Sequence, residues 1–483
     1  MELSTLNTII LTILGSCSIA ILFYHLYYSS SNNNKSRLPP GNLGLPFVGE
    51  TLHFMRAGQK GQPEKFILDR MTKHSPIIFK TSILGEPTAV TCGAAGHKFT
   101  FGHEDKLFVS WWPKSVDLIF PTTNRTSSNE ETKRLRRLLP QFLKPEALKR
   151  YVGVMDKIVN RHIGLHWEGN DVVYVYSLAK NLSFWVACRV FLSMDDPVEV
   201  AEFEKPFETL ADGIVSLPVN LPGTRLNRAI KAAKQVREEI RRMIESRRRD
   251  LAKGIVSQNQ DIMSHMLVTK DEEDGQFMSD DEISDKLLAL LFGGHQTTSV
   301  AITFVIKFLA ELPRVFHAVY QEQMEIARSK RSDEGLKWED IQKMKYTWNV
   351  ACEALRLAPP VQGAFRVALQ DFSYAGFHIP KGWKIYWNAY STHKNPDYFQ
   401  NPEEFDPTRF EGEGPKPYTY VPFGGGPRMC PGMEFARLEI LVFMHNIVTR
   451  FHWKKLFPNE MTTFHPIPLP LKVLPICIYL HPS

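Results

Sequence analysis

The spacing of apolar positions divides the chain into regions that predict different elements. Residues Ile9 to Tyr28, "IILTILGSCSIAILFYHLYY", form an uncharged run of 20 residues, which as a helix would be about 30 Å long and match the hydrocarbon core of a bilayer. From about residue 60 to 345, apolar residues recur at helical spacing. Short β-prone segments such as 372–387 lie between predicted helices. We therefore predict a mainly α fold with small β sheets, an α+β class.

The apolar run at the start predicts an uncleaved membrane anchor. No Lys or Arg precedes it, it is long for the apolar part of a signal peptide, and no small-residue cleavage site follows. Glu2 lies before the run, whereas Lys35 and Arg37 follow it, which places the rest of the chain in the cytosol. The predicted organisation is an anchor at 1–28, a polar and then Pro/Gly-rich hinge at 29–50, and one large domain at 51–483.

Composition excludes several classes of protein. A chain of 483 residues that is 43% hydrophobic and 23% charged is globular. The net charge of +6 is mild for this length and gives no reason to expect nucleic-acid binding. The six cysteines lie far apart and form no CxxC pair, so neither a disulfide framework nor a structural zinc site is indicated. A reducing compartment and a membrane surface remain compatible with this composition.

The segment "FGGGPRMCPG", residues 423–432, concentrates unusual residues around one cysteine. A cysteine that binds iron must be a thiolate, which backbone N–H groups and a helix N-terminus stabilise. Glycines at 424–426 would let the backbone approach a flat cofactor, and Arg428 offers a fork for a carboxylate. A phosphate-binding loop would need Lys and then Ser or Thr after the last glycine, and Pro427-Arg428 stands there instead. The pattern favours a metal-binding thiolate.

These residues resemble the cytochrome P-450 haem-thiolate monooxygenases. The loop pattern of that family, F-x-x-G-x-R-x-C-x-G, is met by Phe423, Gly426, Arg428, Cys430 and Gly432. The resemblance extends over the whole chain and implies the cytochrome P-450 fold, haem b with Cys430 as the axial iron ligand, and electrons from NADPH that arrive through NADPH-cytochrome P-450 reductase.

A second motif lies in "SDDEISDKLLALLFGGHQTTSVAITFVIKFLAEL". Ser279 and Glu282 form a capping box, and Pro313 stops the predicted helix. Gly293 and Gly294 in its middle indicate either close helix packing or, by the resemblance, an oxygen-binding groove beside the haem, with Gly294 lining the cofactor site.

The same motif departs from the family pattern of Gly-x-Asp/Glu-Thr. Gln296 stands at the acidic position and cannot ionise, so the usual acid of the proton relay is absent. The resemblance assigns Thr297 to hydrogen-bond the bound oxygen, with Thr298 or His295 as further contributors. Gln296, Thr297 and Thr298 are the predicted catalytic residues. The effect of Gln296 on the coupling of oxygen consumption to product formation is left open.

The resemblance also predicts a structural cluster and further cofactor contacts. Glu353 and Arg356 of "EALR" lie three residues apart on one helix face, and Arg409 of "PTRF" would complete a buried cluster with them. Arg136 and Arg366 are predicted to contact the haem propionates.

The substrate prediction rests on the segment "PPVQGAFR". Val361, Ala364 and Phe365 would line the pocket for an apolar small molecule, although core packing is the ordinary role of such residues. Together with "KYTWNVACEALR" and the cysteine loop, the segment most resembles the plant branch that oxidises triterpenes, the beta-amyrin oxidase-like enzymes. The predicted protein is a single-pass monooxygenase of the endoplasmic reticulum membrane with a cytosolic catalytic domain. The alternatives are a haem-thiolate isomerase or dehydratase that does not use O2, and a non-catalytic haem- or lipid-binding protein.

Overall fold

The structure is a computed structural model that describes residue 15 and residues 37–121, 143–214, 216–271, 275–331, 333–464 and 466–481. Apart from residue 15, the predicted anchor at 1–28 therefore lies outside the described residues, and so does Arg136. The helices, in chain order, are α1 (Thr51–Gln59), α2 (Pro63–Lys73), α3 (Gly93–Gly102), α4 (Lys114–Ile119), α5 (Pro145–Leu148), α6 (Val152–His166), α7 (Val175–Leu192), α8 (Pro197–Ile214), α9 (Arg225–Ala252), α10 (Ile262–Val268), α11 (Asp280–Glu311), α12 (Pro313–Arg328), α13 (Trp338–Ile341), α14 (Lys345–Leu357), α15 (Tyr390–His393) and α16 (Met433–Val448).

Helix α11 is the predicted long helix and lies at the centre of the helical body. Ser279 Oγ accepts a hydrogen bond from the Glu282 amide at 3.3 Å, and Glu282 Oε2 accepts one from the Ser279 amide at 2.6 Å, so the predicted capping box is present. The helix ends at Glu311, directly before Leu312 and Pro313. Helices α7, α9, α14 and α16 pack around α11. Of the described helices, α11 alone is long and apolar enough to span a bilayer, but most of its most apolar stretch is buried inside the domain.

Twelve strands, counted over the described residues, form small sheets beside the helical body. They are β1 (Ile78–Ile83), β2 (Glu86–Thr91), β3 (Phe108–Ser110), β4 (Val172–Tyr174), β5 (Gly363–Ala368), β6 (Phe372–Tyr374), β7 (Phe377–Ile379), β8 (Lys384–Asn388), β9 (Phe451–Lys455), β10 (Thr462–Phe464), β11 (Pro468–Pro470) and β12 (Pro475–Leu480). The largest sheet has the order β1-β2-β8-β5-β3, and a second has the order β4-β12-β9. The prediction of a mainly α fold with small sheets is confirmed.

The sheet order joins distant parts of the chain. Strand β2 pairs in parallel with β8, with Thr88 opposite Lys384, and β3 pairs with β5, with Ser110 opposite Arg366. Strand β5 begins six residues after the end of α14. These pairings place the segment from α3 to β3 next to β5 and next to the cysteine loop that precedes α16.

Candidate active site

The cysteine loop is a compact turn that ends at the start of α16. The Cys430 amide donates to the Phe423 carbonyl at 2.9 Å, and the Met429 amide donates to the Gly426 carbonyl at 3.0 Å. Gly432 caps the N-terminus of α16. Cys430 is exposed on one side, yet protein atoms shield its sulfur elsewhere. Their burial of the thiol raises the pKa of Cys430, while a hydrogen bond from the Gly432 amide lowers it.

The structure shows why residues 425 and 426 of this loop are glycines. A Cβ on Gly426, whose φ is +66°, would lie 2.5 Å from the Phe101 carbonyl oxygen, and one on Gly425 would lie 2.5 Å from the Phe101 ring. Only glycine allows so close an approach. These two glycines thus seat the loop against the end of α3. The assignment of Gly426 to cofactor binding stays a prediction.

A buried carboxylate that sequence analysis missed lies between Arg366 and Arg428, two of the arginines predicted to bind the cofactor. Glu104, between α3 and β3, accepts a hydrogen bond from Arg366 Nε at 2.5 Å, and its other oxygen lies 3.4 Å from Arg428 Nε. The Glu104 side chain is 1% exposed and that of Arg428 19%. Nothing in "FGHEDK" marks this acid as special, because only the pairing of β3 with β5 brings it to Arg366.

The middle of α11 borders open space. Within the described part of the chain, a Cβ on Gly293 or Gly294 would meet no neighbouring atom within 4 Å apart from the helix's own backbone. Close packing against another described helix therefore does not explain these glycines. Thr297 Oγ1 donates to the Gly293 carbonyl at 2.6 Å, and both residues keep exposed surface although the helix lies in the core. Thr298 is only 2% exposed. The two predicted catalytic threonines therefore have different surroundings.

His295 points away from that space. It is 1% exposed, and its Nε2 lies 2.9 Å from Glu204 Oε1 on α8. Because a carboxylate only accepts, Nε2 carries the donated proton. Burial lowers the pKa of His295. Burial alone would raise the pKa of Glu204, but the His295 hydrogen bond and nearby positive charge hold it below its usual value. His295 thus links α11 to α8, and its contribution to the relay stays a prediction. Gln296, beside it in the sequence, is half-buried.

The predicted pocket residues do not share one surface. Ala364 and Phe365 are neighbours on β5 and face opposite sides of the sheet. Ala364 packs near Trp387, whereas Phe365 stacks on Tyr386 with ring centroids 4.4 Å apart. Val361 precedes the strand and is 45% exposed. At most one of the two strand residues faces any single cavity, so the assignment to a pocket stays a prediction.

The structure brings the three members of the predicted cluster together. Arg356 donates to both oxygens of Glu353, at 2.6 and 2.7 Å, and both side chains are fully buried. Arg409 Nε lies 3.3 Å from Glu353 Oε1. Arg356 also donates to the carbonyls of His393, Pro402 and Glu404. This network ties α14 to the segment that leads into the cysteine loop.

Comparison of this chain with known proteins indicates one family. The Cytochrome P450 family model matches residues 39–472. A beta-amyrin 28-monooxygenase of Saponaria officinalis is 58% identical over 472 residues, which cover 98% of this chain and 97% of that protein. A beta-amyrin 28-monooxygenase of Vitis vinifera is 56% identical over 482 residues, with 100% of both chains covered.

A solved structure agrees with the sequence relatives. The retinoic acid-bound cyanobacterial CYP120A1 has a TM-score of 0.83 and 32% sequence identity, and the match covers 93% of this chain and 100% of that one. The predicted fold and the resemblance to the plant triterpene-oxidising branch are confirmed. The chain belongs to the cytochrome P450 family.

Proposed function

We propose that this monooxygenase oxidises beta-amyrin or a closely related triterpene at carbon 28. The observation that carries the proposal is 56–58% identity, over nearly the full length of both chains, to enzymes of two plants that bear this activity in their names. An apolar substrate of this size needs a largely hydrophobic cavity. The open space beside Gly293, Gly294 and Thr297 is where such a cavity would meet the cofactor.

The cofactor of the family is haem with a cysteine thiolate ligand, and the described residues fit it. Cys430 is an exposed residue that lies just before the N-terminus of α16, which favours an anion. Arg428 Nε makes no hydrogen bond to a described residue, although Glu104 Oε1 lies 3.4 Å from it. Arg366 bonds to described residues only through Nε and one terminal nitrogen. These arginines retain donors for carboxylates. We propose Cys430 as the iron ligand and Arg428, Arg366 and Arg136 as propionate contacts.

Bound haem supplies oxygen activation and the insertion of one oxygen atom into a C–H bond. The chain's own residues would control protons and water there. Thr297 directs its O–H to the Gly293 carbonyl, which leaves the lone pairs of Oγ1 free to accept a hydrogen bond from a water molecule in the open space. Gln296 can orient a water molecule through its amide but cannot ionise. We propose that Thr297 positions the water through which protons are delivered, with Gln296 beside it.

The test is expression in microsomes with a plant NADPH-cytochrome P-450 reductase, the partner that we propose, followed by feeding of beta-amyrin. We expect a thiolate-type Soret band of the reduced carbon monoxide complex and an NADPH-dependent product oxidised at carbon 28. Cys430→Ser should lose both. Conversion without NADPH would instead indicate an isomerase or dehydratase, and binding without any product would indicate a carrier protein.

Thr297→Val gives a sharper test of the proton role. Valine has the same shape but no hydroxyl, so substrate binding should persist while product formed per NADPH falls. Thr303→Val is the matched control, because Thr303 lies on the same helix, is fully buried and also donates to the carbonyl four residues before it. Equal coupling in the wild type and Thr297→Val would remove Thr297 from the relay.

We further propose that residues 1–28 anchor the protein in the endoplasmic reticulum membrane, that 29–50 form a hinge and that 51–483 form the cytosolic catalytic domain. The support is the uncharged run at 9–28 and the cations that follow it. The protein should resist alkaline extraction from microsomes, and deletion of 1–28 should release it. Protection of the catalytic domain from added protease would contradict the cytosolic orientation.

A further inference from the structure

Glu104 is a buried acid in a position where the proposed mechanism needs only cations. It lies between Arg366 on β5 and Arg428 in the cysteine loop, and its residue as a whole is 6% exposed. We propose that Glu104 is a positioning residue that fixes the guanidinium groups of Arg366 and Arg428 for the haem carboxylates. This inference rests on the proposed assignment of these arginines to the haem site.

The hydrogen bonds give Arg366 one defined orientation. Its Nε donates to Glu104 Oε2 at 2.5 Å, and one terminal nitrogen donates to the Phe365 carbonyl at 3.0 Å. Its other terminal nitrogen makes no hydrogen bond within the described part of the chain, so it is available to a ligand. A guanidinium held in this way loses little further freedom when it binds a carboxylate, which is the advantage of preorganisation.

The backbone around Glu104 is itself held in place. Glu104 forms a bridge with Phe108, and the Asp105 amide donates to the Phe108 carbonyl at 2.9 Å. Phe108 begins β3, which pairs along its length with β5, the strand that carries Arg366. The pairing of β3 with β5 therefore fixes Glu104 relative to Arg366. Helix α3, against which Gly425 and Gly426 pack, fixes Glu104 relative to the cysteine loop.

The net charge of Glu104, Arg366 and Arg428 still allows a haem carboxylate to bind beside them. Among the described residues, two guanidinium groups face this one buried carboxylate, so these three side chains keep one net positive charge. Asp105 Oδ1 lies 3.7 Å from a terminal nitrogen of Arg428, but its side chain is 48% exposed and water screens it. A remaining positive charge in a buried setting favours an anionic group. Glu104 thus orients the arginines without neutralising both of them.

The experiment is haem release from the purified full-length haem protein to excess apomyoglobin. Glu104→Gln keeps the shape of the side chain but removes its charge. We expect haem to leave about tenfold faster, which corresponds to the loss of one charge-assisted hydrogen bond. Glu50→Gln is the matched control, because Glu50 forms a partly buried, two-pronged ion pair with Arg70 at 2.7 and 3.0 Å, away from the cysteine loop. It should release haem at the wild-type rate.

A double variant separates positioning from a general structural role. If Glu104 acts through its arginines, the double variant Glu104→Gln with Arg366→Met should show a smaller increase in the haem-release rate than the product of the increases in the two single variants. Independent effects that multiply fully would overturn the inference. If Glu104→Gln yields no haem-loaded protein, haem release is measured instead for Glu104→Asp, which keeps the charge on a shorter side chain. The same two results are then expected: faster release than from the wild type, and a combined effect with Arg366→Met that is smaller than the product of the two single effects.

The outcomes also separate this inference from the proposed function. A wild-type protein without a thiolate-type Soret band in the reduced carbon monoxide complex would overturn both. A wild-type protein with that band, together with a Glu104→Gln variant that releases haem at the wild-type rate, would overturn the positioning role of Glu104 alone. Faster release in both Glu104→Gln and Glu50→Gln would also overturn it, since the loss would then be one of general stability.

Discussion

Two buried histidines make the stability of the domain sensitive to mild acid. Burial lowers the pKa of His162 to about 3, helped by the neighbouring His166, and lowers that of His445 to about 4. In the unfolded chain each ring protonates near its usual value of 6.5. The unfolded state therefore binds more protons below that pH. The stability of the folded state is fully present above about pH 6.5 and is lost as the pH falls.

The size of the effect follows from these values. At about pH 5 the unfolded rings are protonated and the folded rings are still neutral, a gap of about 1.5 pH units for each group. At about 1.4 kcal/mol per unit, each histidine contributes about 2 kcal/mol and the two together about 4 kcal/mol. A domain with a free energy of unfolding of roughly 5–15 kcal/mol would lose a large part of it.

The assay is urea unfolding of the full-length protein in detergent, followed by tryptophan fluorescence at about pH 7.5 and about pH 5. His445→Phe removes one titrating ring, so its loss of stability between the two pH values should be about 2 kcal/mol smaller than that of the wild type. The variant also loses the hydrogen bond from His445 to Gln323 Oε1 at 2.8 Å, which lowers stability at both pH values alike.

The control is His317→Gln, since His317 lies exposed on α12; it should retain the wild-type difference between the two pH values. An identical difference in the wild type and in His445→Phe would refute the reasoning that burial of His445 makes the fold acid-sensitive.

Three further predictions concern the region around the cysteine loop. Glu353→Gln should lower the free energy of unfolding by about 3–5 kcal/mol, because it leaves the fully buried Arg356 without its charge partner; urea unfolding measures this loss, and a change below about 1 kcal/mol would contradict it. Gly426→Ala should lower the melting temperature more than Gly376→Ala, because both glycines have positive φ but only a Cβ at 426 would lie against Phe101. Equal melting temperatures of the two variants would show that Phe101 moves aside at little cost. Gln296→Asp should raise product formed per NADPH by restoring an ionisable group beside Thr297, and unchanged coupling would mean that the acid is not needed here.

Local patterns in the sequence were sufficient for the features that depend on neighbouring residues. The capping box at Ser279, the stop before Pro313 and the cysteine turn before α16 are all short-range, so residue types and spacing predicted them. Glu353 and Arg356 share a helix face for the same reason.

The sequence could not show features that depend on the pairing of distant segments. Glu104 reaches Arg366 only because β3 pairs with β5, and no local signal distinguishes it from other acids. The proximity of His295 to Glu204 depends on how α8 lies on α11. The reason for Gly425 and Gly426 is equally remote, since the atoms that require them belong to Phe101.

The parallel pairing of β2 with β8 also bears on how the protein is made. Thr88 must find Lys384, about 300 residues later in the chain, and at a synthesis rate of roughly 5–20 residues per second this interval lasts about 15–60 s. During that time β1 and β2 can form a hairpin whose outer edge has no native partner. An unpaired edge of this kind is a site of aggregation, so the nascent chain is expected to depend on chaperones until residue 388 has left the ribosome.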